Sequence, residues 1–242
     1  MRYSIIIPTL NEEKLLPKLL RQLEDINVKK NYDSEIIISD GGSTDKTVEL
    51  ALNFADVIKV HKHSYKQTIA EGRNIGAQFA NGEIIIFLNG DIILNNAEKF
   101  FDYLDTSFYK SDYLALTCKV KVFPEEQKLS DKLFHGFYNA YFHSLNILGV
   151  GMGRGECQVI RKAVFEKVGG NNQSLIAGED FDLFMRIRKL GKILHTNKVW
   201  IYESPRRYRK LGYWGVTWLW LRNSSSIVVK RKSISREWEQ VR

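Results

Sequence analysis

The residues best suited to chemistry fall into five short clusters: Pro8-Thr9-Leu10-Asn11-Glu12, Asp40 ahead of two glycines, Arg73, Asn89-Gly90-Asp91, and the acid pair Glu179-Asp180. A carboxylate such as Asp40 can accept an N–H of a nucleotide base. A carboxylate on a tight glycine turn, as at Asp91, can hold a divalent cation against phosphate oxygens. Arg73 can add positive charge to a ribose-diphosphate region. Glu179-Asp180 follows Gly178, and one of the two acids can serve as general base toward an acceptor hydroxyl. Each cluster also has a plainer reading. Asp-Gly and Asn-Gly are turn formers, a helical arginine is commonly solvated, and acids in a first helical turn suit the macrodipole. Their joint placement carries the chemistry.

That placement depends on the elements around them. Short β-branched runs at 4–7, 35–39, 57–60 and 84–88 alternate with amphipathic stretches, which predicts a parallel sheet with crossover helices. Ligands of such a sheet bind at the carboxyl ends of its strands, where the 8–12 segment, Asp40 and Asn89-Gly90-Asp91 stand. Arg73 lies on the helix before the fourth strand. Pro17 suits a helix start, Asp45 is expected to cap the next helix, and Gly82 ends the helix over 67–79. The second half predicts strands at 113–122 and 157–160 and short helices at 162–168 and 180–190. Between them lies a long helix over 129–148 with an aromatic face. Glycines 149, 151, 153 and 155 miss dinucleotide-loop spacing and follow a helix, so a lid or acceptor loop is expected instead.

An apolar fraction of 44% and a charged fraction of 26% exclude wholesale disorder. The net charge of +8 sits at one end. From Arg206 to Arg242 there are ten Lys or Arg and two acids, so the first 205 residues are neutral, with no basic stripe for nucleic acid. Cys118 and Cys157 make neither a disulfide framework nor a metal cluster, which suits a reducing, cytoplasmic setting. Residues 5–7 are too few for a signal peptide, and the uncharged apolar run 211–221 is half a membrane span. The tail carries Trp214, Trp218, Trp220 and Trp238 with Lys230-Arg231-Lys232. It reads either as a contact with a membrane surface or as packing on the catalytic domain or on a second subunit of a homo-oligomer. A lipid-linked acceptor would fit such a tail. His135 and His143 read as packing residues. His195, just after an apolar pair at 193–194, is expected near a diphosphate.

Six segments in order resemble glycosyltransferase family 2. They are residues 4–13 (Ser-Ile-Ile-Ile-Pro-Thr-Leu-Asn-Glu-Glu), 36–47 around Asp40-Gly41-Gly42-Ser43-Thr44-Asp45, and Gly72-Arg73-Asn74-Ile75-Gly76. Residues 82–91 ending in Asp91, 165–170 and 178–183 complete the set. The resemblance implies an α/β fold: a GT-A-type nucleotide-binding sheet, mostly parallel, flanked by helices, with a C-terminal helical and aromatic appendage. It implies a catalytic domain over 1–205, with a donor half to about residue 95 and an acceptor half beyond, and an appendage over 206–242. Pro8, Thr9 and Glu12 would line a nucleoside-diphosphate sugar, with Asn11, Asn89 and Gly90 completing that site. Asp40 would contact the base, and Arg73 the ribose or diphosphate. Asp91 would ligate Mn²⁺ or Mg²⁺, and Asp180, beside Glu179, would be the catalytic base of an inverting transfer.

Two departures from the family pattern matter. Asn89 replaces the first acid of the DxD motif, so weaker metal affinity is expected. The Gln-x-x-Arg-Trp element of processive synthases is absent, which points to single addition. Ser204-Pro205-Arg206-Arg207-Tyr208-Arg209 resembles a stretch of a short-chain branch, and Arg206 and Arg207 would close over a diphosphate or a phosphorylated acceptor. A sugar-phosphate nucleotidylyltransferase would instead need a glycine-rich, basic loop after the first strand, where Pro-Thr-Leu-Asn-Glu-Glu stands. An inactive nucleotide-binding or scaffolding member is the remaining alternative.

Overall fold

The computed structural model describes residues 1–230, 232 and 233 of the 242. Strands β1 (Tyr3–Thr9), β2 (Ser34–Asp40), β3 (Val57–Val60) and β4 (Ile84–Leu88) pair in the order β3-β2-β1-β4, all parallel. Helices α1 (Leu16–Asp25), α2 (Val28–Asn31), α3 (Thr47–Ala51) and α4 (Ile69–Gln78) make the crossovers. β1, β2 and β4 are buried on both faces almost throughout. That burial is why they read as unbroken isoleucine runs, and not as alternating ones. The chain places β2 and β3 on one side of β1 and then returns to lay β4 on the other. The resulting switch point opens a crevice outside the ends of β1 and β4.

The rest of the chain comprises β5 (Ile92–Leu94), α5 (Ala97–Tyr103), β6 (Ala115–Val122), α6 (Leu129–Ile147), β7 (Cys157–Arg161), α7 (Lys162–Lys167), α8 (Glu179–Arg188), β8 (Ile193–Glu203) and α9 (Arg206–Lys230). The sheet continues β4-β7-β6-β8-β5. β7 runs antiparallel to both neighbours and β5 antiparallel to β8, while β6 and β8 are parallel. Six of eight strands therefore point one way, the mostly parallel α/β sheet expected of the sequence. Both halves of the chain lie in this one sheet.

Three differences from the sequence reading stand out. β5, of three residues, and α5 carry too little periodic signal to stand out. β8 runs nine residues past the apolar pair that marks it. Its polar Thr196-Asn197-Lys198 segment is accommodated by a register shift against β6 at Cys118/Lys119. The third difference is at α3, where Lys46 holds the cap position. Asp45 accepts the Thr47 N–H one residue inside it, at 2.9 Å.

Gly82 does more than end a helix. A Cβ there would lie 2.5 Å from the Tyr3 carbonyl carbon and 2.6 Å from the Ser4 nitrogen. Backbone cannot swing aside as a side-chain tip can. Gly82→Ala is expected to cost about 1–3 kcal/mol, read as a lower urea midpoint at unchanged slope.

α9 bends at Gly212, whose φ of 68° lies in the left-handed region. The limb before the bend reaches the crevice. The limb after it lies along α6, with the Trp220 ring 5.1 Å from that of Tyr138, and the Tyr138 hydroxyl donating to Thr217 Oγ1 at 3.0 Å. Trp220 thus packs on the domain, whereas Trp214 and Trp218 are exposed. Trp238 and Arg231 lie outside the described residues. Among the described residues no helix is long and apolar enough to cross a membrane.

Candidate active site

The end of β1 is clasped by the loop after β2. Asn11, at a φ of 51°, accepts the Thr44 N–H on its Oδ1 at 2.6 Å, and its own N–H donates to Ser43 Oγ at 2.7 Å. The Glu12 N–H donates to Thr47 Oγ1 at 2.7 Å. Asp40, fully buried, engages both oxygens within this clasp. Oδ1 accepts the Gly42 and Ser43 amides, and Oδ2 accepts the Ser43 hydroxyl and the buried Thr9 hydroxyl. These bonds make Asp40 and Asn11 organisers of the loop beside the end of β1.

Asn89-Gly90-Asp91 forms the corner between β4 and β5. The Asn89 N–H donates to the Glu156 carbonyl at 3.2 Å. A Cβ on Gly90 would meet Glu12 and Thr9 at 3.4 Å, so the corner lies against the end of β1. Arg206, at the start of α9, bridges the two segments: its Nη2 donates to Asp91 Oδ2 at 2.9 Å and to the Glu12 carboxylate at 3.0 and 3.2 Å.

Arg73 is fully buried on α4. It donates to Glu179 Oε1 at 2.8 Å, Asn89 Oδ1 at 3.2 Å and the Gly155 carbonyl at 2.6 Å. One guanidinium therefore joins α4, the β4–β5 corner, the segment before β7 and the start of α8. The neighbouring Asp180 is half-buried, with Oδ1 accepting the Phe181 amide at 2.8 Å. Gly155 leaves room for it, since a Cβ there would stand 3.4 Å from Asp180 Oδ2 and 3.1 Å from Arg73 Nη2. Burial, and then the charge of Glu179, push the Asp180 carboxyl up to about 7, with Arg73 opposing them.

These groups line one cavity of about 320 Å³, to which the structure adds residues that sequence reasoning missed. Arg154 donates to Glu156 Oε2 at 3.2 Å and to Glu203 Oε1 at 2.9 Å, and the Tyr208 hydroxyl donates to Glu203 Oε1 at 2.8 Å. Burial alone would raise the Glu156 carboxyl, but Arg154 outweighs it and holds the group down to about 2. Burial and the nearby Glu156 push Glu203 up to about 8 despite Arg154. The one available signal was the Arg154-Gly155-Glu156 run ahead of β7. Arg207 is half-buried in the wall of the same cavity.

His195 is not brought to this cavity. It lies in the body of β8 with its ring 4.8 Å from that of His143, and burial pulls its imidazole down to about 4. The glycine run over 149–155 is a packed wall, not a lid. A Cβ on Gly151 would sit 2.6 Å from the Phe184 carbonyl oxygen, and one on Gly153 2.3 Å from the Phe184 ring.

A sequence model described as Glycosyl transferase family 2 matches residues 4–169. The chain belongs to that family. One relative is the 4,4'-diaponeurosporenoate glycosyltransferase of Staphylococcus haemolyticus (strain JCSC1435), 30% identical over 58% of this chain and 34% of the relative. The family 2 chain thus spans about a third of that relative's length. Two solved structures share the fold. The mannosyltransferase of Pyrobaculum calidifontis, in complex with GDP-Man and Mn²⁺, has a TM-score of 0.63 at 18% identity, over 84% of this chain and 56% of its own. Glucosyl-3-phosphoglycerate synthase from Mycobacterium tuberculosis, in complex with Mn²⁺, UDP and glucosyl-3-phosphoglycerate, has a TM-score of 0.63 at 15% identity, over 95% and 79%.

The Asp91 carboxylate and the Asn89 amide oxygen are of the type that suits Mn²⁺ or Mg²⁺, and in this structure Asp91 Oδ2 accepts from Arg206 and Asn89 Oδ1 from Arg73. Among the described residues no group of three His, Cys, Asp or Glu gathers into an all-protein cage. A metal here would therefore draw on phosphate oxygens for the rest of its coordination.

Proposed function

We propose that this chain transfers a glycosyl group from a nucleoside-diphosphate sugar to an acceptor hydroxyl, with inversion and by single additions. The observation that carries this is Asp180. It is a half-buried carboxyl near neutral pKa, held beside Arg73 and Glu179 in the cavity that also contains the Asn89-Gly90-Asp91 corner. A base poised near the working pH is what removal of a hydroxyl proton asks for. Pro8, Thr9 and Glu12 at the end of β1, with Gly90 close to Thr9 and Glu12, would face the donor. Asp91, with Asn89, would hold Mn²⁺ or Mg²⁺, which offsets charge on the leaving diphosphate. Arg206, bound to Asp91 and Glu12, and Arg207 supply further positive charge on that side. The clasped, glycine-poor turn after β1 offers no triphosphate cradle and disfavours a nucleotidylyltransferase. The two solved relatives in complex with GDP-Man and with UDP, both with Mn²⁺, agree with this reading.

Thermal unfolding with UDP, GDP and CDP, each with and without Mn²⁺, tests the donor half. A nucleotide at about 100 times its Kd should add about 2.7 kcal/mol, roughly 5–10 °C for a chain of this size. The shift is expected to need Mn²⁺ and to vanish in Asp91→Asn. A shift independent of Mn²⁺ and of Asp91 overturns the metal assignment, and no shift with any nucleotide favours an inactive, scaffolding role.

A further inference from the structure

α6 and α9 pack against each other through Phe134, Tyr138, Phe142 and Trp220. Their outer faces are apolar as well. Leu129, Leu133, Phe137 and Tyr141 recur at intervals of four along α6 and are 73, 68, 64 and 42% exposed. On α9 Trp214, Trp218 and Leu221 are 88, 63 and 50% exposed. Ten of the 16 exposed large apolar side chains among the described residues lie on these two helices and the 148–150 turn after α6. A monomer seldom leaves so much apolar surface in one place without use.

Two features of this face select its occupant. The first is charge. The acid of α6, Asp131, is fully buried and bound by Arg209 and Tyr213, and α9 contains no acid at all. Exposed Lys132 and Arg222 stand on the same two helices, and the nearest exposed acids, Glu125 and Glu126, precede α6 in the chain. The second is continuity with the cavity. Tyr141 and Leu221 belong both to the exposed face and to the cavity wall, which they share with Leu145, Met152, Asp180 and Asp91. The cavity wall is charged at Asp91 and Asp180 and apolar at Tyr141 and Leu221, and the latter pair is exposed on the α6–α9 face.

We infer that the α6–α9 face seats on an anionic phospholipid bilayer, so that the cavity receives the polar head of an acceptor whose apolar tail stays in the lipid. Tryptophan, leucine and phenylalanine on one face with flanking cations are what an interfacial helix requires. The acceptor half of this inference rests on the glycosyl-transfer reading; the docking half does not.

The test is flotation of the full chain with vesicles of phosphatidylcholine alone, or of phosphatidylcholine with phosphatidylglycerol. Quenching of tryptophan fluorescence by acyl-chain spin-labelled lipid provides a second readout. Wild type should float with the anionic vesicles, more weakly as salt rises, and be quenched. Lys132→Gln combined with Arg222→Gln should weaken binding about 30-fold, at the usual contribution per surface cation. Phe137→Ser combined with Trp218→Ser should abolish both flotation and quenching. These positions are solvent-exposed, so the Mn²⁺-dependent nucleotide shift should survive in both variants as a check on folding. Failure to float with either vesicle overturns the proposal. So does sedimentation as a dimer that Phe137→Ser with Trp218→Ser dissolves, because a second copy would then cover the face. Flotation without any nucleotide shift would leave the docking intact and remove the transferase reading with the acceptor role.

Discussion

Asp180→Asn is expected to lower the rate of transfer about 10²–10⁴-fold, the usual range for losing a general base, while leaving the Mn²⁺-dependent nucleotide shift in place. The wild-type rate should rise with pH through a limb centred near 7, where Asp180 gives up its proton. Stability should run the opposite way. A carboxyl whose native value lies above its ordinary 3.8 binds a proton in the fold that the unfolded chain has already released. That contribution is present at low pH and is lost between about 4 and 7. Glu203 adds a slope of the same sign, so the difference between wild type and Asp180→Asn isolates Asp180. A variant that loses activity but keeps the full pH slope in stability would show that Asp180 does not hold the proton.

The largest loss of stability should come from Arg73→Met. The substitution leaves Glu179, 6% exposed, as a buried carboxylate without its partner. Breaking such a pair from one side costs about 3–5 kcal/mol, read as a fall in the urea midpoint. Adding Glu179→Gln should restore part of the loss, because an amide is cheaper to bury than an unpaired charge. The double-mutant cycle then gives the coupling between the two residues. If Arg73 were a donor contact alone, the single substitution would weaken nucleotide binding and leave the midpoint unmoved.

The first half of this protein was legible because its strands are buried on both faces, and unbroken Ile-rich runs are the direct trace of that burial. The second half was less so. β8 looks finished at Leu194 because a polar segment follows, which put His195 at an imagined strand end. The strand in fact ends at Glu203, and that glutamate is the residue delivered to the cavity. Asp40 illustrates a different limit. A carboxylate ahead of two glycines suits a base contact and a turn equally well on residue type, and its bonds to the Ser43, Gly42 and Thr9 donors could not be read from the sequence. Arg154, Glu156 and Tyr208 were missed for a third reason. Their role depends on one another across the fold, and no spacing along the chain encodes it. Residues 206–208 read as the start of an appendage whose two arginines could close over a diphosphate, and they line the cavity.

Arg206 meets Glu12 across 194 residues of chain and Asp91 across 115, while Arg73 meets Glu179 across 106. Contacts between such distant positions form slowly, since each closes a long loop before it returns any stabilisation. The cavity is therefore expected to be among the last features acquired in folding, after the parallel strands have found their neighbours. Refolding followed by far-ultraviolet circular dichroism should run ahead of refolding followed by nucleotide binding. A chain released before residue 206 would carry all eight strands and still lack the arginine that joins Asp91 to Glu12.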